Sequence, residues 1–283
     1  MEVIIVMAKI IAEVGSNHLG NRDLIIAYAQ ESKASGCSIL KFQGWRVNNL
    51  SRDYFADDYS KEDIAYYDKC EIDYKDVVTI CNDNNIQPLI TAFDCKNIEN
   101  IALAMQHSDK KIVKIASPDM LSWKLLDKAF NLFDEVIIST GMHSTKEIFQ
   151  LGEYLRIAGY HHKAVLLHCT SKYPALRSDV NMARVEYIKS MGIRWGYSDH
   201  TIGIEAAVMA CAMGAEYIEK HVTLSSFLPS RDASMSCSFT EMERISCWNN
   251  YFGIMRGGLN MKELTQHDYQ MRKKYCGKWG NNK

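Results

Sequence analysis

No sign of charge dominates this chain. Across 283 residues, 33 Lys and Arg face 34 Asp and Glu, for a formal net charge of −1. The sequence pI lies near 6.7. Without a broad field of one sign, the surface draws in neither nucleic acid nor an anionic membrane, so any anion site must be local. The C-x-x-C spacing of zinc and redox sites is also missing, although there are 9 cysteines. Several stand in apolar or helical surroundings (Cys37, Cys81, Cys211), where cysteine acts as a small hydrophobe. Reduced thiols imply a cytoplasmic address. The N-terminal MEVIIVMAKIIAEVG has no basic n-region and no small-residue cleavage site, and it is too short to span a bilayer. It reads as a strand. Low-complexity segments and interdomain linkers are absent as well.

What is present is a period. Eight short runs rich in Ile, Val and Leu fall at 9–14, 38–42, 88–92, 112–116, 135–139, 164–169, 194–197 and 217–222. Helix-like segments follow them at 21–35, 61–84, 98–106, 123–130, 144–158, 180–191, 204–213 and 240–254. Eight βα units, with strands apolar on both faces, indicate a single-domain α/β protein, a (β/α)8 TIM barrel over 1–255. A doubly wound open sheet is the main rival, but Gly15 and Gly20 do not make the G-x-G-x-x-G that it needs after the first strand. Ser144 and Glu147 form a capping box for the fifth helix. Gly36, Gly159 and Gly214 sit just past helix ends, as C-caps do. The polar and aromatic loop at 44–60 is long enough to be an active-site cover. Residues 256–283, basic at MRKKY, read as a loose helix and tail.

The residues at 193–224, IRWGYSDHTIGIEAAVMACAMGAEYIEKHVTL, anchor the functional reading. The pattern is strand, loop, helix, strand, with His200 and His221 at the two carboxyl ends. Neighbouring strands lie about 4.8 Å apart. Two imidazoles at matching ends can therefore converge on one metal ion.

Active sites of such barrels lie at the carboxyl ends of the strands. Polar residues collect at all eight: Glu13, Asn17 and His18; Lys41 and Gln43; Thr91; Lys114, Ser117 and Asp119; Ser139 and Thr140; His168, Thr170, Ser171 and Tyr173; Ser198, Asp199 and His200; Glu219, Lys220 and His221. Charge inside a barrel is costly unless it is paired, so packing does not account for this ring. Lysines with hydroxyls suit a phosphate or a phosphate plus a carboxylate. Two histidines suit Mn, Fe, Co or Zn and leave positions open for water and a substrate oxygen. Glu13 and Glu219 are placed to hold such a water or move a proton. The residues alone thus point to a metal-assisted enzyme acting on a phosphorylated anion and a carbonyl compound. A lysine Schiff base of the class I aldolase kind is the alternative. Another metal-dependent barrel lyase, or a non-catalytic barrel subunit, also stays open.

The runs IIAEVGSNH, KFQ, VKIASPD, ISTGM, LLHCTSKYP, GYSDHTIGIE, AMGA and IEKHVTL, in this order, resemble the N-acetylneuraminate (sialic acid) synthase family over about 10–245. The resemblance implies a transferase that condenses phosphoenolpyruvate with the open-chain aldehyde of an N-acetylated aldose. The product would be a 3-deoxy-2-keto nonulosonic acid, with phosphate leaving by C–O cleavage. It implies that His200 and His221 bind a divalent metal, Mn2+ or Mg2+. Lys41, Lys114, Ser117, Ser139 and Ser198 would hold phosphoenolpyruvate. Glu13 would act at the reacting centre, and Asp119 would stand near the metal-bound water. Gln43, Thr91, Tyr173 and Asp232 would line the sugar side. A cytoplasmic homodimer is expected, with neither nucleic acid nor membrane as partner.

Two departures stand out. Lys283 comes too soon for the antifreeze-like C-terminal domain of many members. Ser171 stands where the sialic acid enzymes have an asparagine facing the sugar. The expected acceptor is therefore not plain N-acetylmannosamine. A deoxy di-N-acetyl hexose, as for legionaminic or pseudaminic acid, or an unacetylated sugar fits better.

Overall fold

The computed structural model describes residues 7–50, 61–256 and 264–279. Positions 51–60 of the long loop, 257–263 and 280–283 of the tail, and 1–6 of the N-terminal run lie outside the described residues.

Eight parallel strands close on themselves in chain order. They are β1 (Lys9–Glu13), β2 (Ile39–Gln43), β3 (Gln87–Ala92), β4 (Ile112–Ile115), β5 (Glu135–Ser139), β6 (Ala164–Cys169), β7 (Arg194–Asp199) and β8 (Tyr217–His221). The helices are α1 (Arg22–Ala34), α2 (Lys61–Lys69), α3 (Tyr74–Asp83), α4 (Asn97–Ala104), α5 (Trp123–Leu132), α6 (Thr145–Ile157), α7 (Val185–Ser190), α8 (Glu205–Ala212), α9 (Phe239–Arg256) and α10 (Gln266–Tyr275). The expected (β/α)8 barrel is present.

Period-2 alternation sorts the strands into two faces. Ile11, Ile39, Leu89, Ile112, Ile137, Val165, Leu167 and Tyr217 form a separate apolar cluster inside the barrel. Their neighbours, such as Ile10, Leu40, Ile90 and Leu166, join the larger core under the helices. The interior is therefore plugged by side chains, and each large one contributes about 1.5–3 kcal/mol by leaving water. Above this plug, the next inward positions carry the polar residues.

The Ser144–Glu147 capping box starts α6 as expected. Gly36, Gly159 and Gly214 follow helix ends with φ of 80°, 74° and 89°. Two helices differ from the sequence reading. The segment 61–84 is two helices, because Asp73 caps a new N-terminus by accepting from the Lys75 and Asp76 amides. The segment 180–191 keeps helix only in α7, since Asn181 turns left-handed at φ 41° and a short 3-10 turn follows. α10 buries none of its residues. No described helix is long and apolar enough to cross a membrane.

Candidate active site at the carboxyl ends of the strands

Strand register assembles the site. Glu13 of β1 stands beside Lys41 of β2 on one side and His221 of β8 on the other. Gln43 is level with Thr91, and Thr91 with Lys114. Cys169 is level with Ser198, and Ser198 with Glu219. All of these residues line one cavity at the barrel mouth, together with Ser117, Ser139, Ser171, Tyr173 and His200.

A buried ion cluster forms the inner wall. Lys41 Nζ lies 2.8 Å from Glu13 Oε2 and 2.9 Å from Glu219 Oε1. Gln43 Nε2 donates to Glu13 Oε1 at 2.8 Å, and Ser198 Oγ to Glu219 Oε1 at 3.0 Å. Burial disfavours the charges of Lys41 and Glu219, but opposite charges outweigh it. The Lys41 pKa is raised by its two carboxylates. Glu219 is held well below the usual carboxylate range by Lys41 and Lys114. The cluster is unfinished on the ligand side: Glu219 Oε2 and Thr91 Oγ1 are buried without a hydrogen-bond partner.

Lys114 differs from Lys41. Its Nζ donates to Ser139 Oγ at 2.6 Å and to the Ile115 carbonyl at 3.1 Å, and among the described residues no carboxylate forms a salt bridge with it. Burial lowers its pKa to about 8; Glu219 pulls upward and Lys41 adds to the depression. A buried cation with no direct carboxylate contact among the described residues, walled by the hydroxyls of Ser117, Ser139 and Ser171, can take up an anion.

The two histidines meet as expected, with ring centroids 5.8 Å apart. His200 Nδ1 lies 2.8 Å from the Thr170 carbonyl. A carbonyl only accepts, so Nδ1 carries the proton and Nε2 keeps its lone pair. Burial, with His221 nearby, lowers the His200 pKa to about 4, which keeps the ring neutral. His221 leaves a buried Nδ1 without a partner. A neutral His200 imidazole and an orphaned ring nitrogen on His221 suit a divalent metal. Among the described residues, no group of three or more His, Cys, Asp or Glu could hold one, so the pair would leave positions open. Tyr173 packs its ring 4.3 Å from that of His200.

Not every residue singled out in the sequence reaches the cavity. Asp119 is absent from its lining; it accepts from Ser122 Oγ at 3.0 Å, and burial raises its pKa. Asp232 accepts from the Ser16 amide and hydroxyl at 2.9 and 2.8 Å. It packs against Gly15, where a Cβ would stand 2.5 Å from Asp232 Oδ2 and 3.2 Å from His221 Nδ1. His168 turns outward, with Nε2 2.7 Å from the Val180 carbonyl. Lys220 and Asp199 pair with each other at 2.7 Å, away from the cavity. Alternation explains these: positions 168, 199 and 220 are out of phase with the inward set. The same rule would have found Cys169, which lines the cavity and was missed. Phe93 and Met142, on loops beyond the strands, also line it and left no such signal.

A family model, the NeuB family, matches residues 28–248. The chain is 30% identical over 251 residues to an N,N'-diacetyllegionaminic acid synthase of Campylobacter jejuni, covering 83% of this chain and 73% of that protein. It is 31% identical over 261 residues to the N,N'-diacetyllegionaminic acid synthase of Legionella pneumophila, covering 83% and 69%. Among solved structures, it is similar to a sialic acid synthetase of Leptospira borgpetersenii in complex with citrate. The TM-score is 0.82 at 28% identity, over 94% of this chain and 92% of that one.

Proposed function

The chain belongs to the NeuB family, and we propose that it condenses phosphoenolpyruvate with the open-chain aldehyde of an N-acylated aldose. The product is a 3-deoxy-2-keto nonulosonic acid of the sialic, legionaminic or pseudaminic kind. One observation carries the reading: a buried lysine shared by two glutamates, Glu13–Lys41–Glu219, stands between a second buried lysine, Lys114, and the pair of histidines. One end of that arrangement suits a phosphate, the other a sugar aldehyde, and the reacting carbons would meet between them.

The bonds are simple to count. C3 of phosphoenolpyruvate bonds to the aldehyde carbon, and the aldehyde oxygen takes a proton. Water adds at C2, and the C2–O bond to phosphate breaks. Lys114, with Ser117, Ser139 and Ser198, binds and orients the phosphoenolpyruvate. Glu219, held ionised by Lys41 and Lys114, and Glu13, in contact with Lys41, would serve as proton acceptors for the incoming water. His200 and His221 would hold a divalent metal, Mn2+ or Mg2+, which polarises the aldehyde when bound. Gln43, Thr91 and Tyr173 line the side open to the sugar. Asp232 would join them through the carboxylate oxygen that Ser16 does not hold.

The acceptor side favours a sugar other than N-acetylmannosamine. Ser171 is shorter than the asparagine expected there, and two curated relatives are named for diacetyllegionaminic acid. A di-N-acetylated deoxyhexose is the acceptor this supports. The same reading makes the protein a cytoplasmic homodimer, which light scattering in solution tests. The functional test is phosphate release from phosphoenolpyruvate with a panel of free aldoses. Release that ignores the aldose, or a clear preference for N-acetylmannosamine, would refute the corresponding half of the proposal.

A further inference from the structure

The loop from β5 to α6, residues 140–144, does more than connect. The Gly141 amide donates to Ser117 Oγ at 3.0 Å. A Cβ on Gly141 would stand 2.3 Å from Ser171 Oγ, 2.8 Å from Cys169 Sγ and 2.9 Å from Ser117 Oγ. Only glycine lets the backbone run this deep among three cavity side chains. Met142 then takes a left-handed φ of 65°, which an unbranched apolar residue rarely adopts. Backbone held in such a region tends to mark function. The turn leaves the Met142 side chain exposed at the cavity rim and brings His143 back beneath the β4 turn.

There His143 Nε2 lies 2.9 Å from the Ser117 carbonyl, so Nε2 carries a proton and donates. Nδ1 is buried without a hydrogen-bond partner, 3.6 Å from Glu147 Oε1. Arg184 holds the His143 carbonyl from the far side at 2.7 Å. Ser117 is thus held at both ends, its carbonyl by His143 and its hydroxyl by the Gly141 amide. With an acceptor site of Oγ filled by that amide, the Ser117 hydroxyl proton is left to donate. Cys169 Sγ lies 3.3 Å from Oγ, and the cavity lies beside it. His143 itself does not line the cavity.

We propose that His143 is a positioning residue for the anion end of the site: acting through Ser117, it fixes a hydroxyl that the phosphate of phosphoenolpyruvate requires. The inference rests on the function proposed above. It is tested by calorimetric titration of phosphoenolpyruvate, and separately of inorganic phosphate, into the full chain and its variants. H143A weakens phosphoenolpyruvate binding about tenfold, the scale of one lost orienting hydrogen bond. H143Q, which restores an N–H donor, returns affinity to within about threefold. On an S117A background H143A adds less than about twofold, because the two residues act as one unit. Unchanged affinity in H143A overturns the proposal, and so does an undiminished effect on the S117A background or a failure of H143Q to rescue. If H143A does not fold, H143F, which keeps the ring and lacks the donor, is held to the same criteria. If the unmodified protein binds inorganic phosphate but not phosphoenolpyruvate, the functional reading fails, and the phosphate titrations still decide the role of His143.

Discussion

The barrel buries a glutamate among cations at each end, and the two ends complete their hydrogen bonds differently. At the floor, Glu135 opens β5. Tyr217 donates its hydroxyl to Oε1, and Oε2 accepts from Lys110 at 3.0 Å and Arg194 at 2.5 Å. Arg194 continues to Glu216 at 2.7 Å, and Lys9 reaches the Tyr217 hydroxyl at 3.3 Å. Burial opposes the Glu135 charge, but these donors outweigh it and lower its pKa. None of these floor side chains leaves a buried polar atom without a partner. At the mouth, Glu219 Oε2, Thr91 Oγ1 and His221 Nδ1 are buried and unpartnered. Charge inside a barrel therefore does not identify a site. Nor does a lone unmet hydrogen bond, since Ser32 Oγ and Ser246 Oγ are also buried and unpartnered away from the cavity; the mouth is marked by buried charge and unmet hydrogen bonds together, whose cost a ligand removes.

That contrast can be broken by substitution, and the largest effect is expected at Lys41. K41M strips the cation from two buried glutamates, at a cost of about 3–5 kcal/mol in stability by urea denaturation, and it lowers turnover by at least about 100-fold. E135Q at the floor costs about 1–3 kcal/mol but leaves turnover per folded molecule unchanged. Equal losses of turnover in both variants would erase the distinction between the two ends. Next comes H221A: metal affinity, followed by titration calorimetry, falls at least about 100-fold while the unfolding midpoint moves little. Survival of both metal binding and turnover would remove His221 from the site.

Acidity sharpens the comparison further. In the proposed function Lys114 would bind its anion only when protonated, and burial lowers its pKa to about 8. Phosphoenolpyruvate affinity should be flat below that pH and fall about tenfold per unit above it, and K114R should abolish this limb. Folding disfavours the charged form, since the folded value lies below the ordinary 10.5. The Lys114 contribution to stability therefore improves as pH rises from about 8 to 10.5. The smallest effect is expected for T91V. Removing an unpartnered buried hydroxyl leaves stability within about 0.5 kcal/mol and raises KM for the aldose a few-fold. Y217F removes a satisfied hydroxyl at the floor and costs about 1–2 kcal/mol without touching KM.

Much of this was legible in the sequence, for identifiable reasons. All eight strands fall within two residues of their expected bounds, because strands buried on both faces read as continuous apolar runs. The polar ring could be read because barrels place their sites at strand carboxyl ends. Two things were hidden. Strand ends alone do not say which residues face inward; without the alternation rule applied to each strand, His168, Asp199 and Lys220 entered the ring while Cys169 stayed out. Loops that fold back leave no local trace: the contact of His143 with Ser117 spans 26 residues, and that of Asp232 with Ser16 spans 216. Glu135 looked like one more strand residue, because its partners Lys110, Arg194 and Tyr217 come from three other segments.

The most direct test is phosphate release from phosphoenolpyruvate with Mn2+ and a panel of free aldoses. Stoichiometric phosphate and a 2-keto acid product are expected only when an N-acylated aldose is present, with a di-N-acetylated deoxyhexose preferred. Failure to bind phosphoenolpyruvate and metal at all would contradict the proposed function and return the barrel to the non-catalytic readings.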